Sequence, residues 1–240
     1  MLFKKVFGSM VAEKTKQLAL FLTIILLLSC IATFFVVSAE NMKRPIRVAC
    51  VGDSITEGSG YPFKLQTMLG SSYIVGNFGV RGSTVSQSSI KPYMNQTSFR
   101  QAKDFIPDIV VIMLGTNDAN PEITQNTDEF ESDYSQLINS FQQLDGEQSI
   151  WVAISPPIFR TTSSWNSTCL TNDIIPQIDS VAKQMDLPTI NIYDAFGDRA
   201  GYFADGIHPN SDGATLIAST IFDNLTMQDN SPETTSLPVD

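Results

Sequence analysis

A three-layer α/β/α sandwich on an open five-stranded parallel sheet is the fold that this sequence predicts. Three observations lead there. Short apolar runs that do not alternate with polar residues recur along the chain, as in strands covered on both faces. Segments with helical spacing lie between them, so strands and helices alternate. The 240 residues are too few for a (β/α)₈ barrel, and a hydrophobic share of 42% supplies a real core and excludes wholesale disorder.

The elements follow in order. Ile46–Val51 ends at Gly52 and reads as a buried strand. Tyr61–Leu69 has apolar residues at 61, 65, 68 and 69, with Pro62 in its first turn, and reads as a helix. Tyr73–Phe78 is the second strand and Ile109–Leu114 the third. Phe130, Tyr134, Leu137, Ile138, Phe141 and Leu144 keep helical spacing. Ile150–Ile154 is the fourth strand, stopped by Pro156-Pro157. Ile174, Ile178, Val181, Ala182 and Met185 mark a helix before a fifth strand, Thr189–Ile192. Ala214, Ile217, Ala218, Ile221 and Leu225 form the apolar face of a last helix capped near Asn210 or Ser211.

The two ends differ from this pattern. Lys4, Lys5, Lys14 and Lys16 precede an uncharged run of 22 residues from Leu18 to Ala39. Residues 1–39 therefore read as a targeting segment. Val37-Ser38-Ala39 resembles a signal-peptidase site, whereas the length of the run suits an uncleaved membrane anchor. A lipoprotein signal at Leu27-Leu28-Ser29-Cys30 fits poorly with the apolar Ile31–Val37 that follows. Either main reading places residues 40–226, the folded domain, outside the cytoplasm, secreted or tethered to a membrane. Residues 227–240 are polar, contain Pro232 and Pro238, and read as a flexible tail. Asn95, Asn166 and Asn224 begin acceptor sequons that matter only in a glycosylating host. Cys50 and Cys169 could pair in an oxidising compartment, but Cys50 falls inside a buried strand, so free thiols are expected.

Composition removes several classes of function. Beyond residue 39 there are 11 basic and 24 acidic residues, a balance of −13, which disfavours nucleic acid and other anionic surfaces. One His and three Cys cannot build the usual zinc sites, although an Asp-only magnesium site is not removed by counting. The glycines at 76, 79 and 82 fall at the second strand and after it, not after the first, which argues against a dinucleotide fingerprint. Gly-Lys-Ser/Thr is absent, and Thr56 breaks the G-x-S-x-G of an α/β-hydrolase.

Chemistry is expected where the strands end. Gly52-Asp53-Ser54, Gly79–Thr84 and Gly115-Thr116-Asn117-Asp118 follow the first three strands, and Asp205-Gly206-Ile207-His208-Pro209 precedes the last helix. Ser54 is the best nucleophile, and a serine needs an adjacent base. The one imidazole is His208, and Asp205 lies three residues earlier, close enough in a turn to reach Nδ1 and leave Nε2 for the serine. An oxyanion needs aimed donors, each worth roughly 10²–10³ in turnover. The Ser54 N–H, the Gly82 N–H and the Asn117 side-chain amide are the candidates. Asp53, Thr116 and Asp118 are expected to bond loop amides instead. Taken singly, Ser54 is equally a helix cap, Gly82 a turn glycine and Asp205-His208 a surface turn.

These four ordered blocks resemble those of the SGNH (GDSL-type) hydrolases, over about residues 46–225. The resemblance implies a flavodoxin-like sheet and a Ser-His-Asp triad of Ser54, His208 and Asp205. It also implies an oxyanion hole of Ser54, Gly82 and Asn117, and no cofactor or metal. Ile55 stands where the family name expects Leu. Within the family, Gly52–Glu57, Tyr61-Pro62, Asn77-Phe78-Gly79, Met113–Asp118 and Asp133-Tyr134 are similar in texture to bacterial-type carbohydrate O-acetylesterases. That implies a small-molecule or carbohydrate ester as substrate. Arg160 and Trp165 lie in the loop after the fourth strand. Arg160 is a candidate for meeting a carboxylate. Trp165 is a candidate for stacking on a sugar, with loop packing as the competing role. Hydrolysis of lysophospholipid or longer acyl esters is the alternative activity, and a non-catalytic extracellular binding module the alternative of another class.

Overall fold

The computed structural model describes residues 14–18, 20–33, 44–124, 127–160, 165 and 167–229. The chain divides into two units, Met1–Arg44 and Pro45–Asp240. In the first, helix α1 (Lys14–Thr33) has 20 residues and is long and apolar enough to cross a membrane, a test that a signal sequence also passes. The expected cleavage site at Val37-Ser38-Ala39 lies outside the described residues.

The second unit holds five parallel strands in the order β2-β1-β3-β4-β5. They are β1 (Ile46–Gly52), β2 (Tyr73–Gly79), β3 (Ile109–Met113), β4 (Ser149–Ile154) and β5 (Thr189–Asn191). The chain leaves β1 toward β2 and then returns to the other side of β1 for β3. The topological switch therefore falls between β1 and β3, where Gly52 pairs with both Gly79 and Met113.

The period of two along each strand divides the apolar residues between two cores. Val51, Val110, Ile112, Ile150, Val152 and Ile154 face one side. There they meet α4 (Thr97–Asp104), α5 (Phe130–Gln142) and α7 (Ile175–Gln184) through Phe99, Phe130, Tyr134, Phe141, Ile178 and Val181. Val48, Cys50, Val111, Met113, Trp151 and Ala153 face the other side. Their partners there are α3 (Tyr61–Leu69), α8 (Ile192–Phe196) and α9 (Ser211–Asp229). A three-layer sandwich with a fully covered parallel sheet results, as the unbroken apolar runs predict.

Local differences have identifiable causes. Strand β5 stops at Asn191, because the Asn191 side chain accepts from Asp194 N at 2.9 Å and caps α8; Ile192 starts that helix rather than ending the strand. Helix α9 runs to Asp229, three residues into the segment expected to be tail, and residues 230–240 lie outside the described set. A short α6 (Ser167–Cys169) and a π turn (Leu170–Ile174) lead into α7. Cys50 and Cys169 are both free thiols, and burial pushes Cys50 up to about 12.

Candidate active site

Ser54 is the first residue of α2 (Ser54–Gly58), two residues beyond the end of β1. Asp53 caps that helix, its Oδ1 accepting from Ile55 N at 2.8 Å. The cap turns the chain sharply at the switch point and leaves the Ser54 N–H among the orphan donors of a helix start.

His208 comes from the loop before α9, 154 positions away, and its Nε2 lies 3.0 Å from Ser54 Oγ. Its Nδ1 lies 2.9 Å from Asp205 Oδ2. Assigning the Nδ1 proton toward the carboxylate leaves the Nε2 lone pair facing the hydroxyl. Asp205 Oδ1 also accepts from Ile207 N at 3.0 Å and His208 N at 2.8 Å. Slight burial works to raise the Asp205 carboxyl, but these amides and the imidazole outweigh it and bring it down to about 2.

The loop carrying this pair is tied down on both sides. The Gly206 carbonyl accepts from Phe159 N at 2.8 Å and Arg160 N at 3.1 Å. Gly206 has φ of 80°, and a Cβ there would lie 2.9 Å from Arg160 N, so only glycine fits. On the other side Asn210 caps α9, accepting from Asp212 N at 3.0 Å and Gly213 N at 3.1 Å.

The other candidates converge on the same rim. Asn117 is buried after β3, and its Nδ2 donates to Ser83 O at 2.9 Å and to Asp53 Oδ2 at 3.3 Å. Ser83 follows Gly82, whose φ of 74° is left-handed and whose Cα faces open space. Asp118 accepts from Val85 N at 3.0 Å and Ser86 N at 2.9 Å, which fixes the loop that presents Gly82. Burial pushes Asp118 up to about 6 and Asp53 up to about 7, against the hydrogen bonds that both accept. Thr116 departs from its expected role. Among the described residues its buried hydroxyl bonds no loop amide, and it faces the Asp53 carboxyl, where it works to lower that group.

Ser54 and His208 open into a pocket of about 170 Å³ lined also by Ile55, Gly58, Ser59, Arg81 and Pro209. A larger groove of about 690 Å³ runs along α5, from Ser132 to Gln143, and contains none of these groups. Among its described lining residues the pocket beside Ser54 includes neither Arg160 nor Trp165. The Arg160 side chain is exposed while its backbone holds Gly206. Trp165 is half-buried and packs against the core on the α5 side. Asp133 is a supporting residue that sequence reasoning gave no role. From the first turn of α5 it accepts from Gln87 N at 2.7 Å, a second tie on the Gly82 loop. An acidic residue in the first turn of the predicted helix was the available signal. Among the described residues no three His, Cys, Asp or Glu side chains cluster as metal ligands.

An open parallel sheet with a Ser–His–Asp relay at its switch point has the design of a serine hydrolase. Residues 50–216 match the model of the GDSL-like Lipase/Acylhydrolase family, and the chain belongs to that family. It is 37% identical over 204 residues to an acetylxylan esterase of Xylanibacter ruminicola, a match covering 73% of this chain and 42% of that protein. The chain thus spans less than half the length of this curated relative. Solved structures share the fold. A carbohydrate acetylesterase from Sinorhizobium meliloti superposes with a TM-score of 0.63 at 18% identity, covering 78% of this chain and 100% of the other. The native M. Smegmatis aryl esterase gives a TM-score of 0.62 at 16% identity, covering 76% and 99%.

Proposed function

We propose that the domain is a serine esterase that removes O-acetyl groups from carbohydrate. Ser54 Oγ attacks the ester carbonyl carbon while His208 Nε2 takes its proton. Charge gathers on the carbonyl oxygen, and the Ser54 N–H, the Gly82 N–H and Asn117 Nδ2 receive it. The longer of the two Asn117 bonds, 3.3 Å to Asp53, is the one whose N–H turns to the oxyanion. Asp205 steadies the imidazolium. His208 then gives the proton to the departing sugar oxygen, which leaves acetyl on Ser54. Water repeats the cycle, deprotonated by His208, and releases acetate and free serine.

The observation that carries this reading is the 3.0 Å contact of Ser54 with His208 at the mouth of a pocket of only about 170 Å³. Drug-sized ligands occupy about 300–1,000 Å³, so this pocket favours a short acyl group. Likeness to an acetylxylan esterase agrees with it. The test is the rate of hydrolysis along p-nitrophenyl esters from acetate to decanoate. A sharp optimum at acetate, abolished by Ser54→Ala, is expected; rates that rise with length would overturn the acetyl assignment.

A second reading rests on α1. A helix able to cross a bilayer would hold the domain beside lipid, where lysophospholipid or longer acyl esters are at hand. The same chain-length series separates the two. In either case the domain acts outside the cytoplasm, with α1 as a cleaved signal or a retained tether. A binding module would have no use for an intact relay, and acetate hydrolysis by the wild type excludes it.

A further inference from the structure

The catalytic pocket carries a charged pair that the relay does not use. Arg81, beside Gly82, lines the pocket with Ser54, Gly58, Ser59 and His208. Its Nε lies 3.3 Å from Glu57 Oε2, and Glu57 stands on α2 three residues after the nucleophile. The Arg81 backbone is fixed as well, its carbonyl accepting from Lys91 Nζ at 2.7 Å. The guanidinium lies over Gly58, where even an added Cβ would sit 3.6 Å from Nη2.

Stability does not account for this pair. The two side chains are 70% and 44% exposed, and exposed ion pairs contribute little. Their hydrogen-bonding capacity suggests a different role. A guanidinium offers donors only, and a carboxylate acceptors only. With Nε turned to Glu57, the terminal nitrogens of Arg81 remain for a ligand at the pocket. A hydroxyl both donates and accepts. Two neighbouring hydroxyls can therefore accept from Arg81 while donating to Glu57, and no single charged residue meets both needs. An anionic ligand is disfavoured, because the Glu57 carboxylate stands beside the guanidinium and the domain carries a net negative charge.

We infer that Arg81 and Glu57 form a sugar-reading rim, which binds vicinal hydroxyls on the ring that bears the scissile acetyl group. The inference rests on the acetyl-carbohydrate reading and adds to it the residues that set selectivity for the alcohol side. They are specificity-determining residues and take no part in proton transfer.

The experiment compares two acetates in the purified protein. One is methyl 2-O-acetyl-β-xyloside, whose O3 and O4 hydroxyls are free and vicinal. The other is p-nitrophenyl acetate, whose leaving group has none. The readout is the ratio of kcat/KM for the sugar to that for the aryl ester, in wild type, Arg81→Met and Glu57→Gln. Losing hydrogen bonds to a charged group should lower this ratio by about tenfold or more in Arg81→Met, mostly through KM for the sugar. Glu57→Gln keeps the shape but weakens the acceptor, and lowers the ratio less. A ratio that stays at the wild-type value in both variants, or equal losses on both substrates, overturns the inference. Wild-type protein that cleaves the aryl acetate but not the acetylated xyloside overturns the underlying acetyl-carbohydrate reading instead.

Discussion

Asp205 and Asp53 are two aspartates of one active site with opposite electrostatic fates. Asp205 is exposed on the His208 loop, accepts two backbone amides and the imidazole, and is held down at about 2. Asp53 is buried beneath Ser54, accepts from Ile55 N and Asn117, and is pushed up to about 7. Asp118, buried like Asp53, is raised to about 6. Donor number alone does not decide the charge, since each of the three carboxylates accepts at least two hydrogen bonds; loss of water does. In the proposed mechanism, the carboxylate held down is the one beside the imidazole that takes the proton, and the two pushed up lie on the side of the proposed oxyanion donors.

The comparison breaks if Asp205 only braces its loop. Asp205→Asn keeps the shape but turns an acceptor into a group that can also donate, which favours the wrong imidazole tautomer. The kcat on p-nitrophenyl acetate should fall by about 10³–10⁴, by analogy with the corresponding change in chymotrypsin-type enzymes. An unchanged kcat would reduce Asp205 to a structural acceptor.

A smaller effect sharpens the other half. Asp53 has its folded-state pKa raised from 3.8 to about 7. The stability it contributes is fully present below pH 3.8 and lost as pH rises toward 7. Asp205 has the opposite sign, with its contribution present above 3.8 and lost as pH falls toward 2. Thermal unfolding of the wild type between pH 4 and pH 8 should therefore include a decline that is shallower in Asp53→Asn; part of the slope should remain through Asp118. Parallel curves for the two proteins would show that Asp53 is not protonated in that window.

Much of this arrangement was legible because it is local or unique. Continuous apolar runs located all five strands, and a single imidazole left one candidate base. Four short helices, α2, α4, α6 and α8, were not, α6 having only three residues. Helix α2 has five residues, too few for a period. Helix α4 buries only Phe99 and Ala102 among polar neighbours. The start of α8 was hidden because Ile192 reads as the end of the Thr189–Ile192 strand, which the Asn191 cap cuts short. The site's supports were hidden for another reason. Asn117 donates to a carbonyl 34 residues away, and Gly206 is held by backbone amides of Phe159 and Arg160. Main-chain bonds between distant loops leave no mark on residue identity, which is why Arg160 was sought as a side-chain ligand while its visible contact is through its backbone.

The claim that Ser54 is a nucleophile activated by His208 is tested most directly by covalent capture. The wild-type protein is treated with a small fluorophosphonate, and the adduct is located by peptide mass spectrometry. Stoichiometric label on the peptide containing Ser54, absent from His208→Ala treated identically, is the expected result. Label on another residue, or equal label on Ser54 without the imidazole, would contradict the account.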